Sequence, residues 1–310
     1  MRSCALALLS CMPGLLMYQS PAPESAESQV MIVGVSHDDS VMGEGLSRGR
    51  SLPPGKANVE PIAWLTPSGH WEQLRCTIAH PNECKRFDRE YLGKAHEYAV
   101  VSADGYGATV QVPRMELDHE CFGIYGKGTF TGDALRYAAV AAEKSDFFAP
   151  GEAARRMPQA EAAQVRQELK QTVGEKLDST KDLRVYSVRL EGRELIVVQR
   201  AFQDFANKYK TDAEIPDLEK VFAIGERENG RFHLLHWKEN TSDESEQILG
   251  LIHLRAGKDF LVTSTSDPES DWFTAYGIRD GKLTVVFKGG RRQLLRTQGD
   301  SSDRVVMMAP

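Results

Sequence analysis

Long apolar runs are missing from this 310-residue chain. No stretch approaches the roughly 20 consecutive apolar residues that a membrane-crossing helix needs, so no transmembrane span is expected in the mature chain. Clustered Lys and Arg are missing as well. With a net charge of −6 and no basic stripe, the chain lacks the electrostatic footprint of a nucleic-acid binder. Cysteine is scarce at five residues, and two of them, Cys4 and Cys11, fall in the N-terminal leader.

The common catalytic signatures are absent too. Lys127 precedes Gly128-Thr129 instead of following a glycine loop, which removes a P-loop phosphate cradle. No dinucleotide fingerprint occurs, and the acids are scattered through turns and loops, so no carboxylate pair can be nominated for glycoside chemistry. Gly45-Leu46-Ser47-Arg48-Gly49 spells G-x-S-x-G. That motif works only on a sharp strand-to-helix turn, and neither a leading strand nor a following apolar helix is present, so it reads as a chance match in a loop. Neither a cofactor nor a catalytic residue is expected.

What the chain does have is turns. Glu191-Gly192, Asn229-Gly230, Ala256-Gly257 and Asp280-Gly281 each separate two strand-like runs. A two-residue hairpin loop needs positive φ at its centre, which Gly adopts freely and Asn or Asp tolerate. Centring turns on these pairs sets Arg189 against Glu194, Val188 against Leu195 and Tyr186 against Val197. It also sets Glu228 against Arg231, Ile224 against Leu235 and Phe222 against Trp237. Around Asp280-Gly281, Tyr276, Ile278, Leu283, Val285 and Phe287 share a face. Ala256-Gly257 fits less well, because pairing Ile252 with Leu261 sets Leu254 against Asp259. Roughly eight strands in about a hundred residues suit a sandwich or barrel. The unequal spacing of the glycines and the shortage of strands exclude a propeller.

The fold expected is therefore mainly β: an antiparallel sandwich or barrel over 182–298, a smaller β unit over 61–148, and one connecting amphipathic helix over 152–178. In the smaller unit, Thr66-Pro67-Ser68-Gly69 signals a type I turn that would set Trp64 opposite Trp71, as a core pair. A second hairpin joins Tyr98–Ser102 to Ala108–Val112. The glycines from 123 to 132 suggest a twisted strand pair, and 134–142 a strand or short helix. In the helix, Ala162, Val165, Leu169, Val173 and Leu177 recur at three- and four-residue steps, a narrow stripe suited to lying on a sheet. Phe202, Phe205 and Tyr209 suggest a short capping helix. Residues 29–60 read as a linker or surface loop, 36–60 being rich in Ser, Gly, Asp and Pro without periodicity, and 299–310 as a disordered tail.

Residues 1–28 read as an export leader: Arg2, a short apolar core through Leu16-Met17, then a polar, Pro-containing spacer. Leu8-Leu9-Ser10-Cys11 resembles a lipoprotein cleavage box. The apolar run ahead of Cys11 is too short for that, which favours a simple secretory leader. Export implies an oxidising compartment, where paired cysteines become disulfides. Cys76 and Cys84 are the favoured pair, closing a loop across His80-Pro81-Asn82 worth about 2.5 kcal/mol; a longer Cys84–Cys121 loop would be worth about 4 kcal/mol. Cys76, His80 and Cys84 with His119 and Cys121 hold enough ligands for zinc, but the seven-residue gap and Pro81 break the usual spacing.

The function expected is that of an exported, non-catalytic β protein binding a ligand or envelope partner. Its candidate loops are 203–218 and 239–246 in the larger unit, since function tends to sit on loops held by a rigid sheet. The alternative is a secreted hydrolase with a site assembled around His119 and Cys121, His80 and Ser47 being further candidates.

Overall fold

The computed structural model describes residues 29–37, 57–74, 85, 89–100, 108–118, 123–132, 138–143, 145–180, 182–200, 220–240, 245–266 and 271–291. The leader, all five cysteines, Ser47, His80, His119, the segment around Phe202 and the C-terminal tail lie outside them.

The first sheet holds β1 (Val30–His37), β2 (Ala57–Leu65), β3 (Trp71–Gln73), β4 (His96–Val100), β5 (Ala108–Val112), β6 (Met115–Asp118), β7 (Gly123–Gly132) and β8 (Ala138–Glu143). Their order is β3-β2-β1-β8-β4-β5-β7-β6, and Ala57–Val59 of β2 also pairs with Gly126–Gly128 of β7. The sheet therefore rolls back on itself. Side-chain alternation along each strand fills the inside with Met31, Val33, Val35, Trp64, Tyr98, Val100, Val110, Val112 and Ala141. The outer face carries Val30, Ile32, Ile62, Leu65, Trp71 and Val140.

Two sequence expectations change here. The segment 29–60 is not wholly linker: β1 and the start of β2 belong to the sheet, β1 between β2 and β8. Covered on both faces, β1 shows an unbroken apolar run in place of alternation, the pattern of a central strand. Its Gly34 sits where a Cβ would come 2.8 Å from the Phe273 ring. The Gly123–Gly132 run is one strand, not a pair, and 138–143 is a strand.

After a short β9 (Arg155–Arg156), α1 (Gln159–Val173) runs into a 3-10 turn at Gly174–Lys176. Pro158 precedes the first turn, where its missing N–H costs nothing. The five-stranded sheet follows: β10 (Arg184–Leu190), β11 (Arg193–Arg200), β12 (Lys220–Glu228) and β13 (Arg231–Asn240), in the order β13-β12-β11-β10-β9. The last sheet is β14 (Ser245–His253), β15 (Asp259–Ser266), β16 (Asp271–Arg279) and β17 (Lys282–Arg291), in chain order. These two antiparallel sheets make the sandwich expected of the C-terminal half.

The layers stack as follows. Ala162, Val165 and Leu169 of α1 pack on Val185, Ile196, Val198, Val221 and Ala223 of the five-stranded sheet. The opposite face of that sheet, with Val188, Leu195, Val197, Phe222 and Ile224, meets Leu251, Leu261 and Tyr276 of the last sheet. The last sheet turns Ile252, Phe260, Val262, Phe273 and Phe287 onto the outer face of the rolled sheet. It is thus a middle layer with both faces buried.

The hairpin registers test the glycine turns directly. Glu191-Gly192, Asn229-Gly230 and Asp280-Gly281 all have positive φ at both residues, the type I′ geometry. The first hairpin pairs as expected throughout, with Arg189↔Glu194, Val188↔Leu195 and Tyr186↔Val197. The second begins as expected at Glu228↔Arg231, but a bulge shifts Ile224 to His236 and Phe222 to Lys238. In the fourth, a bulge between Ala275 and Tyr276 puts Phe287 opposite Ala275, so Phe287 joins the core towards the rolled sheet while Tyr276 faces the other way.

The two remaining turns depart for one shared reason. At Thr66–Gly69 and at Leu254–Gly257 the i+3 amide bonds back as in a type I turn, and the glycine then has φ of +86° and +77°. That residue adds a third to the loop, so Thr66 closes with His70 and Leu254 with Lys258. Trp71 therefore pairs with Leu65 and not Trp64. The indoles go to different cores, Trp64 against Tyr91 and Trp71 against Phe260 and Phe287.

Candidate functional site

In the sandwich the four glycine turns lie at one end, where Arg193 reaches the Gly281 carbonyl and Lys258 pairs with Glu191. The longer connections 201–219, 241–244 and 267–270 leave from the other end, between strand termini that pair as Lys220↔Asn240, Ser245↔Ser266 and Ser266↔Asp271.

Polar side chains collect inside that loop-bearing end. Cross-strand pairing of Glu246 with Thr265 and of Thr265 with Trp272 puts the three on one face of the middle sheet. Thr263 and Tyr276 share this face, and His236 and Lys238 of β13 approach it from the opposite sheet. Glu246 is only 2% exposed. Its Oε1 accepts the Thr263 hydroxyl at 2.8 Å and the Tyr276 hydroxyl at 3.0 Å, and its Oε2 stands 3.7 Å from Lys238 Nζ. A carboxylate buried so deeply stays charged only when paired and hydrogen-bonded. Gln199 of β11 reaches across the same gap to accept the Ile248 amide at 3.0 Å.

The hydroxyl of Tyr276 also lies 3.2 Å from His236 Nε2. Its single proton goes to Glu246, so a neutral His236 carrying its proton on Nε2 donates to the phenol oxygen. Burial lowers the basicity of His236; Glu246 pulls it back up, and Lys238 adds to the lowering. Burial, then the charge and hydrogen bond of Glu246, push the Tyr276 phenol well above its usual value. The result is a chain of donors whose protons are held in place.

The reachable part of the cluster lies above it. Lys238, with its side chain 26% exposed, stands 5.2 Å from the Trp272 ring centre and 3.5 Å from Thr265 Oγ1. Lys288 of β17 stands 5.6 Å from the same ring. Both lie within cation–π range. Two ammonium groups and a half-buried indole thus sit over a buried carboxylate.

A second polar group lies in the rolled sheet. Glu143 accepts the Tyr91 hydroxyl at 2.6 Å and stands 3.4 Å from His96 Nδ1, while the Tyr91 and His96 rings stack at 4.5 Å. Burial first, then Glu143, raises the Tyr91 phenol. Among the described residues no group of three His, Cys, Asp or Glu is placed to hold a metal, and no helix is long and apolar enough to cross a membrane.

The residues singled out from sequence, Cys76, Cys84, His80, His119 and Cys121, lie outside the described residues, as does loop 203–218. Of the candidate loop 239–246, residues 239–240 belong instead to β13 and 245–246 to β14, where Glu246 points inward. His236, Lys238, Tyr276 and Trp272 were missed because each reads as an ordinary strand residue. The signal available was charge at inward strand positions, visible once the pairing of β13 and β14 is fixed. Comparison with protein-family models, curated proteins and solved structures finds no match for this chain.

Proposed function

We propose that the protein is an exported, non-catalytic β module that binds a ligand or envelope partner at the loop-bearing end of its sandwich. The observation that carries this reading is the Lys238–Trp272–Lys288 surface, which lies at the end of the two packed sheets opposite the glycine turns. Binding loops on a fixed scaffold are the usual arrangement, and a pair of ammonium groups beside an aromatic face offers both charge and stacking to a ligand. A non-catalytic role is supported by the protons beneath: Tyr276 holds its own tightly, and the oxygens of Glu246 already face Thr263, Tyr276 and Lys238. The export component rests on Arg2 and the short apolar core of residues 5–17.

The test is ligand-detected NMR of the whole chain against soluble glycan fragments, short peptides and fatty acids, repeated with Trp272→Ala and Lys238→Met. A ligand whose signal is lost in both variants supports the site. A ligand retained in both places binding elsewhere and overturns it, as does a blank across all three classes. Turnover of an ester, peptide or glycan that is abolished by His119→Ala or Cys121→Ala would replace binding with hydrolysis.

A further inference from the structure

The segment between the rolled sheet and α1 is strapped along the β14–β15 hairpin. Ala149 N donates to the His253 carbonyl at 2.9 Å, Arg255 N to the Phe147 carbonyl at 2.8 Å, and Arg255 Nε to the Phe148 carbonyl at 3.2 Å. Phe147 and Phe148 turn into the core beneath. Further along, the Glu152 carboxylate pairs with Arg189 of β10 at 2.9 Å and with Arg155 at 3.3 Å.

One side chain closes this strap. His253 Nδ1 lies 2.9 Å from Asp259 Oδ1 and Nε2 lies 3.3 Å from the Glu152 carbonyl oxygen. The other oxygen of Asp259 accepts the Glu191 amide at 2.5 Å. Gly151 lies so close to the imidazole that a Cβ would fall 1.4 Å from His253 Cδ2, so the strap is seated directly on the ring.

Both partners of the ring are acceptors. A neutral imidazole has one N–H and can serve one of them; an imidazolium serves both. We infer that His253 is a proton-operated latch: protonated, it ties residues 151–152 to Asp259, and deprotonated, it gives up one bond and loosens the strap from the hairpin. The charges facing it are Asp259 from β15 and, behind it, Glu191 paired with Lys258 and Glu152 paired with Arg189 and Arg155.

The direction of the response follows from those partners. The bond to Asp259 raises the basicity of His253 above its ordinary value of 6.5, against the burial that opposes it, with Glu152 assisting. A raised folded value means stabilisation that is complete below 6.5 and lost as pH rises through the folded value. Burial works against the charge on Asp259, but the bonds from His253 and the Glu191 amide outweigh it and hold the carboxyl below its usual 3.8. That contribution is present above 3.8 and lost as pH falls through the lowered value. The latch is closed between those limits.

The test is amide hydrogen exchange of the full chain at Ala149 and Arg255, corrected for intrinsic rate, at about pH 5.5 and about pH 8.5, either side of the imidazole range. Protection is expected to be about tenfold greater at the lower pH, roughly what one lost hydrogen bond is worth. His253→Gln keeps a donor that cannot titrate and should flatten the difference. Asp259→Asn should keep the response but move it to lower pH. Equal protection of the wild type at both pH values, or an undiminished response in His253→Gln, overturns the inference. Should His253→Gln fail to fold, imidazole titration by NMR in the wild type decides: a His253 that titrates without changing Ala149 and Arg255 protection overturns it equally.

Discussion

Glu246 shows how the molecule treats an unwelcome charge. Surrounded by β-sheet on both sides, it survives on two hydroxyl donors and a nearby ammonium. Removing one donor leaves the carboxylate under-satisfied in a place water cannot easily reach. Tyr276→Phe and Thr263→Val are each expected to cost about 1–3 kcal/mol, measured by urea denaturation, with an effect near zero arguing against the hydrogen bonds. The two half-buried histidines should diverge in an NMR titration, His236 below 6.5 and His253 above it. Their effects on stability oppose each other: His236, held neutral, favours the fold above 6.5 and loses that advantage as pH falls, the reverse of His253. The cysteine pairing is also decided at this scale. One disulfide between Cys76 and Cys84 predicts two additional alkylatable thiols on reduction, counted by mass spectrometry, and zinc bound with no gain would exclude it. None of the inward polar residues was legible beforehand. Glu246, Thr263 and Tyr276 come from three strands, and nothing local distinguishes a glutamate at an inward strand position from one in the loop beside it.

At the scale of elements, helix α1 was the plainest reading, and its buried stripe of Ala162, Val165 and Leu169 matches the three- and four-residue steps. Leu169→Ala should cost about 2–5 kcal/mol, a larger loss than any exposed position of the same helix would give in thermal or urea melts. Glu168 next to it accepts the Phe232 amide at 2.8 Å, so the helix holds β13 by a hydrogen bond as well as by packing. The hairpins were legible because a glycine turn and an opposite pair of side chains are both local. What escaped were single extra residues. Bulges near Ile224, Ile248 and Ala275 and the third loop residue at Gly69 and Gly257 each move a strand by one position. A slip of one sends every following side chain to the other face, which is why Phe287 and Trp71 ended in cores their expected partners do not share. The mismatch of Leu254 with Asp259 was the one visible symptom.

For the whole molecule, the decisive fact is that β14–β17 belong to two cores at once. The rolled sheet and the sandwich share Phe260, Phe273 and Phe287 with Ile32, Leu65 and Trp71, so the two halves should unfold together. Heating is expected to give one transition with matching calorimetric and van't Hoff enthalpies, and Phe273→Ala, costing about 3–5 kcal/mol, should lower that single transition without splitting it. Two resolved transitions would show that the shared core does not couple the halves. The middle sheet also sets a timetable for biosynthesis. Residues 30–143 leave the ribosome before β14–β17, and the outer oily side of their sheet gains its cover only when the chain has been made as far as Phe287. For that interval a nascent polypeptide carries an adhesive surface, and a holding chaperone would have to shield it until strands β14–β17 arrive and lie down across it.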